Sequence, residues 1–416
     1  MTGRTSTVRS QAGFTLVEMM VSMGVMMVIV ASVFSLLNPS YGTFQAQPEV
    51  ADMQQRMRVA ADSVQKDLVM AGAGMYSGGM VGTLDAFFSP LLPHKVGTIS
   101  PDLAGTFHAN PLCPDTCASA VTIMYVPTTT AQTTISTDMP TPSAELKVDT
   151  QPGCPTNDAL CGFTSGMRVL IMNLDGDYDI FTITNVQSDA LHLQHRDDKF
   201  TTAYPAGSII TQIVSHTYYL EDNGTDTFQL RHYDGWQTDL PLVDNVVDFR
   251  VEFFGDPSPP QVLKPATDPK GPWTTYGPRP PALGVDNTKD KWAAGENCIF
   301  YVDGATGLQV ARPEMVTLGS ANGPPVAMPA SMLTDGPWCP ADVNPSGAAM
   351  PNKYDADMLR VRQIRITLRV QVANAVLRGP AGTLFRHGGT SRGGERYVPD
   401  QEVRFDVAPR NLNLGR

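Results

Sequence analysis

The chain carries no charged residue between Met19 and Leu37. A solvated helix or strand needs a polar face, so the gap excludes a surface element and reads as a membrane span. Positive charge is scarce as well: 30 Lys and Arg stand against 41 Asp and Glu, a net charge of −11. That balance excludes a nucleic-acid footprint, which needs clustered basic residues, and a basic surface resting on anionic lipid. No Cys-x-x-Cys pair occurs, which removes the usual zinc spacing. No zinc-protease motif occurs either, and the glycine-rich Gly388–Gly394 stretch lies in no strand-to-helix context. It reads as a hairpin loop rather than a phosphate cradle or a nucleophile elbow. No catalytic set emerges, and the chain is expected to be neither an enzyme nor a holder of a cofactor or metal.

What is present is arranged around that gap. A short polar leader with Arg4 and Arg9 precedes Gly13-Phe14-Thr15-Leu16-Val17-Glu18, and the apolar run follows at once. In a secretory signal the small residue of the cleavage site comes after the apolar stretch; here Gly13 comes before it, so cleavage there would keep the hydrophobic segment. Residues 14–37, at ~1.5 Å per residue, reach roughly 36 Å, enough to cross a bilayer. The positive-inside rule puts the N-terminus in the cytoplasm and the bulk of the chain outside. Glu18 is then a lone carboxylate in a membrane-grade helix, a placement costing about 2.5–3.5 kcal/mol on insertion scales and therefore a functional candidate.

These residues resemble the class III signal of type IV pilins and type II secretion pseudopilins. The resemblance implies cleavage by a prepilin peptidase after Gly13 and N-methylation of the new terminus at Phe14. It also implies that Glu18, the fifth mature residue, neutralises the N-terminal ammonium of a neighbouring subunit. Opposite charges in a low-dielectric setting attract strongly, which suits that role. The implied partners are the prepilin peptidase, other minor and major pilins, and the inner-membrane assembly platform. The implied location is the bacterial inner membrane, single-pass, with a periplasmic head that can enter an extracellular pilus. Asp67-Leu-Val-Met-Ala-Gly-Ala-Gly74 resembles, more narrowly, the end of the first helix in PilW-like minor pilins. A J-type pseudopilin of a type II secretion system remains an alternative, as does a tip adhesin.

Beyond the span, Asn38-Pro39 and Gly42 predict a kink or a local break. Val50, Met53, Met57, Ala60, Val64, Leu68 and Ala71 then predict an amphipathic helix over about 48–71, stopped by Gly72 and Gly74. Its polar side is assigned Asp52, Arg56, Arg58, Asp62, Lys66 and Asp67. The fold expected is α+β and pilin-like: leader 1–13, transmembrane part 14–37, amphipathic continuation 38–74 and a β-rich head over 75–416.

In the head, strands are expected at Ala120–Val126, Met167–Met172, Tyr178–Val186, Ala190–Gln194, Ser208–Leu220, Phe228–Tyr233 and Leu240–Phe254. Val247, Phe249, Val251 and Phe253 would share one face, with Asp248, Arg250 and Glu252 on the other. A long strand over Met358–Val372 interleaves apolar residues with four arginines, and its frame shift predicts a bulge near Arg362. Residues 257–351 hold half of the 34 prolines and show no regular period. They read as an irregular insertion bearing Trp273, Trp292 and Trp338, structural or adhesive. Six cysteines behind a membrane-targeting segment fit disulfides in an oxidising compartment: Cys113 with Cys117, Cys154 with Cys161, and Cys298 with Cys339 by proximity, the connectivity remaining open. Asn173, Asp175, Asp177 and Asp179 follow the start of a calcium loop, but glycine falls at the fourth place rather than the sixth and Thr184 stands where the bidentate glutamate belongs, so a polar turn is expected. His192 and His195, three apart in a strand, face opposite sides and are read as ordinary sheet histidines.

Overall fold

The computed structural model describes residues 13–75, 88–94, 117–129, 131–142, 144–151, 153–155, 157–173, 178–195, 200, 203–222, 227–258, 300–311, 316–321, 323–333, 356–391 and 397–413. Cys113, Cys298, Cys339, Asp175, Asp177, the three insertion tryptophans and leader residues 1–12 lie outside them. The architecture is α+β, one long helix and antiparallel sheets. The helix, α1, runs Leu16–Met70 without interruption. The break expected at Asn38-Pro39 is absent: a proline removes one N–H donor from the ladder, which weakens a helix but need not end it.

The strands are β1 (Leu91–Leu92), β2 (Ala120–Tyr125), β3 (Gln132–Thr134), β4 (Leu146–Lys147), β5 (Arg168–Met172), β6 (Tyr178–Gln187), β7 (His192–His195) and β8 (Ile209–Gln212). They continue with β9 (Val214–Asp222), β10 (Phe228–Tyr233), β11 (Asp239–Gly255), β12 (Phe300–Val302), β13 (Gln309–Ala311), β14 (Val326–Met328), β15 (Val361–Val370) and β16 (Gln401–Val407). The main sheet has the order β1-β2-β9-β10-β11-β15-β16, with β14 also on β11. A second sheet has the order β3-β8-β5-β6-β7-β4, and β12 pairs with β13.

Two compact units emerge: Met1–Gln54 with Val372–Asp400, and Gln55–Gln371 with Gln401–Arg416. In the first, Asn374 caps the short helix Ala375–Leu377 through Val376 N–H, and Leu377, Phe385 and Val398 are buried. In the second, Ala60, Val64, Leu68 and Ala71 form the buried stripe of α1 that its three- and four-residue spacing predicts. The helix ends where two glycines take positive φ. Gly72 N donates to Met124 O, and Val126 N donates to Ala73 O, so the turn pairs directly with the end of β2. A Cβ on Gly74 would lie 2.6 Å from Val126 Cβ, so backbone conformation and space both demand glycine there.

The second sheet closes over its own core, which includes Leu160, Phe163, Phe181, Leu193 and Ile210. Its β5–β6 hairpin pairs Met172 with Tyr178 across the acidic turn, as the sequence pattern implies. The stretch expected as one strand over Ser208–Leu220 is two strands in two sheets. Ile213 is the crossing point: Ile210 packs in the second core, while Val214 opens β9 in the main sheet.

β11 and β15 pair through most of their length, and the register skips Arg362 between Phe254↔Gln363 and Gly255↔Val361, which is the expected bulge. Two charges on these segments are not on a solvent face. Asp248 is buried with its carboxylate 2.9 Å from Arg250 Nε. The register is regular from Asp248 to Phe254, so Asp248 keeps the face of Arg250 and Glu252 that alternation assigns it, and it is at Asp248 that this face is covered. Arg360 is fully buried and precedes β15 in a short 3-10 helix. Its guanidinium donates to Asp256 O (2.9 Å), Pro257 O (2.6 Å), Val316 O (3.1 Å) and Asp357 Oδ1 (2.8 Å). One arginine thus ties together the two ends of the proline-rich insertion. Nor is the insertion wholly irregular: β14 adds to the main sheet with Met328 opposite Phe253. At the far edge of that sheet, β16 alternates, with Glu402, Arg404 and Asp406 outward.

Candidate functional site

Two carboxylates, one near each end of α1, define the sites. At the N-terminal end, Gly13, Phe14 and Thr15 precede the first helical residue, and every residue from Gly13 to Leu36 is exposed. Leu16–Leu36 is a 21-residue segment of mean hydropathy 2.3 with none of it buried, long and apolar enough to cross a membrane. Among the described residues, none lies within 4 Å of the ideal Cβ position on Gly13.

Glu18 has a local partner that the sequence reading did not anticipate. Its Oε2 accepts from Thr15 N (2.9 Å) and Thr15 Oγ1 (2.8 Å), while Glu18 N donates to Thr15 Oγ1 (3.3 Å). This reciprocal pair is a capping box, signalled by Thr-x-x-Glu ahead of an apolar run. It satisfies donors that the first helical turn leaves without partners. The structure therefore brings Gly13, Phe14 and Glu18 together at one helix start. It gives Glu18 a resting partner within its own chain.

At the other end, Asp67 is buried rather than on the polar side assigned to it. The signal was in the spacing: Asp67 is seven residues after Ala60 and three after Val64, on the apolar stripe. The sheet meets it with polar groups. His216 and Tyr218 alternate onto one face of β9, and the register sets Ile123 opposite His216 and His232 opposite Tyr218. Asp67 Oδ2 accepts from Tyr218 OH (2.6 Å) and pairs with His216 Nδ1 (2.7 Å), and Oδ1 accepts from Tyr125 OH (3.1 Å). Ser63 Oγ, one helical turn back, lies 2.8 Å from Tyr218 OH. His232 Nε2 stands 3.9 Å from Oδ2, its ring 4.4 Å from that of His216.

Burial by itself would raise the Asp67 carboxyl. The His216 hydrogen bond and charge and the two phenols more than offset it, and the group sits below the ordinary carboxylate range. Burial, then the Asp67 charge and hydrogen bond, push both Tyr125 and Tyr218 upward, so the phenols stay protonated donors. Burial lowers His232, with His216 adding to the effect.

The other candidates are placed more simply. Cys154 and Cys161 form the expected disulfide, Cα atoms 5.5 Å apart. Cys117 is disulfide-bonded as well, to a partner outside the described residues. His192 Nδ1 lies 3.1 Å from Glu145 Oε2 and His195 Nε2 3.0 Å from Ala144 O, separate contacts of the kind expected. Asp179, in β6 just past the acidic turn, accepts from Tyr204 OH at 2.7 Å.

Residues 8–34 match the prokaryotic N-terminal methylation motif. The match supports a type IV pilin-like class III signal, with processing at the N-terminus, and a single-pass anchor at Leu16–Leu36. No curated protein and no solved structure matches the chain.

Proposed function

We propose that the chain is a PilW-like minor pilin, cut by prepilin peptidase after Gly13, methylated on Phe14 and built into the initiation or tip complex of a type IV pilus. The observation that carries this reading is the methylation motif over residues 8–34 joined to a wholly exposed apolar helix. A 21-residue apolar surface has no stable home in water; a bilayer, or a bundle of like helices, covers it. In this reading the chain performs no catalysis. Its chemistry is a change of partner: Glu18 leaves the Thr15 donors and pairs with the Phe14 ammonium of the adjacent subunit, while other minor and major pilins cover the apolar helix. The head stays on the periplasmic side, beside the inner-membrane assembly platform, until it is incorporated.

The test is mass spectrometry of the chain's N-terminus from cells with and without prepilin peptidase. The expected product begins at N-methylated Phe14 and depends on the peptidase. An intact leader in competent cells overturns the reading. Among the described residues none comes within 4 Å of a Cβ at Gly13, so Gly13→Val is expected to spare the fold, and its failure to be processed reports on the peptidase. Loss of pili on deletion of the gene supports the pilus assignment, whereas loss of secreted enzymes with normal pili replaces it with a type II secretion pseudopilin.

A further inference from the structure

We infer that Asp67, His216 and His232 form a site for a divalent transition-metal ion of the zinc class, joining the last turn of α1 to β9 and β10. The three donor atoms, one carboxylate oxygen and two imidazole nitrogens, lie within 4.8 Å of one another. A zinc ion at ~2.0–2.2 Å from each would hold such atoms roughly 3 to 3.5 Å apart. The observed separations from Asp67 Oδ2, 2.7 Å to His216 Nδ1 and 3.9 Å to His232 Nε2, bracket that spacing. The third pair, between the two imidazole donors, lies within 4.8 Å, so the rings must adjust about an ion to reach it.

Three further features suit an ion. The carboxylate is held by Tyr218 OH and Tyr125 OH, and Tyr218 is itself backed by Ser63, the kind of supporting shell that orients a metal-bound carboxylate. The two histidine side chains are 24% and 26% exposed while that of Asp67 is 7%, so an ion can arrive from solvent and keep a water as its fourth ligand. Finally, with two imidazoles, one carboxylate and no thiolate, the donor set suits zinc and its divalent neighbours over Cu(I) or magnesium. On binding, the ion takes the place of the His216–Asp67 contact, with Nδ1 offering its lone pair and the ring keeping one proton on Nε2. The sequence offers no spacing that announces the site, because its ligands lie 149 and 165 residues apart along the chain from Asp67 to His216 and His232, counted as 216−67 and 232−67.

The experiment uses the full chain in detergent micelles, stripped with a chelator and titrated with Co2+ and then Zn2+. The expected result is one equivalent of Co2+ giving visible d–d absorption that Zn2+ abolishes. His232→Gln and His216→Gln should weaken binding about 100-fold, and Tyr218→Phe about 10-fold. Should the variants misfold, carbethoxylation of the unmodified chain read by mass spectrometry decides: Zn2+ should protect His216 and His232 and leave His192 reactive. No binding at micromolar ion, or protection confined to other histidines, overturns the inference and leaves the cluster a hydrogen-bond network only.

Discussion

Glu18 and Asp67 are carboxylates on one helix and are treated in opposite ways. Glu18 is exposed, and its hydrogen-bond partner is three residues away in the sequence. Asp67 is buried, and the groups that hold it lie on strands up to 151 residues away. The first arrangement costs little to undo, since a cap bond exchanges readily for another charged partner. The second is costly to undo, because removing the acid strands phenols and imidazoles under a sheet. A carboxylate meant to change partners belongs in the first setting, and one meant to fix a helix on a sheet belongs in the second.

The sharpest way to break this contrast is to remove each acid in turn. Asp67→Ala should destabilise the head by about 3 kcal/mol, since it takes the acceptor from Tyr125 OH, leaves Tyr218 OH with Ser63 alone, removes the partner of His216 and opens a void. Urea unfolding of the full chain in micelles, followed by tyrosine fluorescence, reads that loss. Glu18→Ala should leave the same unfolding curve within about 0.5 kcal/mol while abolishing recovery of the chain in sheared filament fractions. A large stability loss in Glu18→Ala would erase the distinction. Next in size, Gly74→Ala should cost about 2 kcal/mol through positive φ and the approach of Val126, moving the helix end off β2. A variant as stable as the parent would show that the turn after α1 is not fixed in this way.

Smaller effects sharpen the local side. Thr15→Ala should cost about 1 kcal/mol of helix-start stability, seen as faster amide exchange over residues 16–19 with the head unchanged. Smallest of all is the exposed pair Arg365–Asp406, where the guanidinium holds the Asp406 carboxyl below its ordinary range. A carboxyl lowered in the folded state stabilises above its unfolded value near pH 4 and loses that contribution as pH falls through the folded value. Solvent screening limits it to a few tenths of a kcal/mol, so Asp406→Asn should flatten the acid limb of thermal stability only slightly.

The parts legible in the sequence are those where one local pattern decides. Gly13 through Glu18 and the uncharged run form one continuous motif. The β5–β6 hairpin and the bulge at Arg362 follow from alternation read along a single strand. What escaped was decided by distant segments. Asp67 and Arg360 look like surface charges because charge usually is; spacing puts Asp67 on the apolar stripe, but the partners come from elsewhere: β2 and β9 supply donors to the one, and the carbonyls of Asp256, Pro257 and Val316 accept from the other. The break at Ile213 is invisible because either sheet accepts the same β-branched residues. β14 hid in a proline-rich stretch because three residues carry no period. Excising all of 257–351 would therefore also remove a strand from the main sheet, so a deletion meant to test adhesion should spare Val326–Met328.

The outer edge of the main sheet has a bearing on how such a chain keeps from sticking to itself. An open strand edge is a template for any other strand, and a protein held at high local density in a membrane meets its own copies constantly. Along β16, Glu402, Arg404 and Asp406 project outward in alternation. Pairing two such edges antiparallel about Arg404 would set Arg404 against Arg404 and Glu402 against Asp406, like charges directly opposed. The strand thus makes the head a poor partner for its own edge.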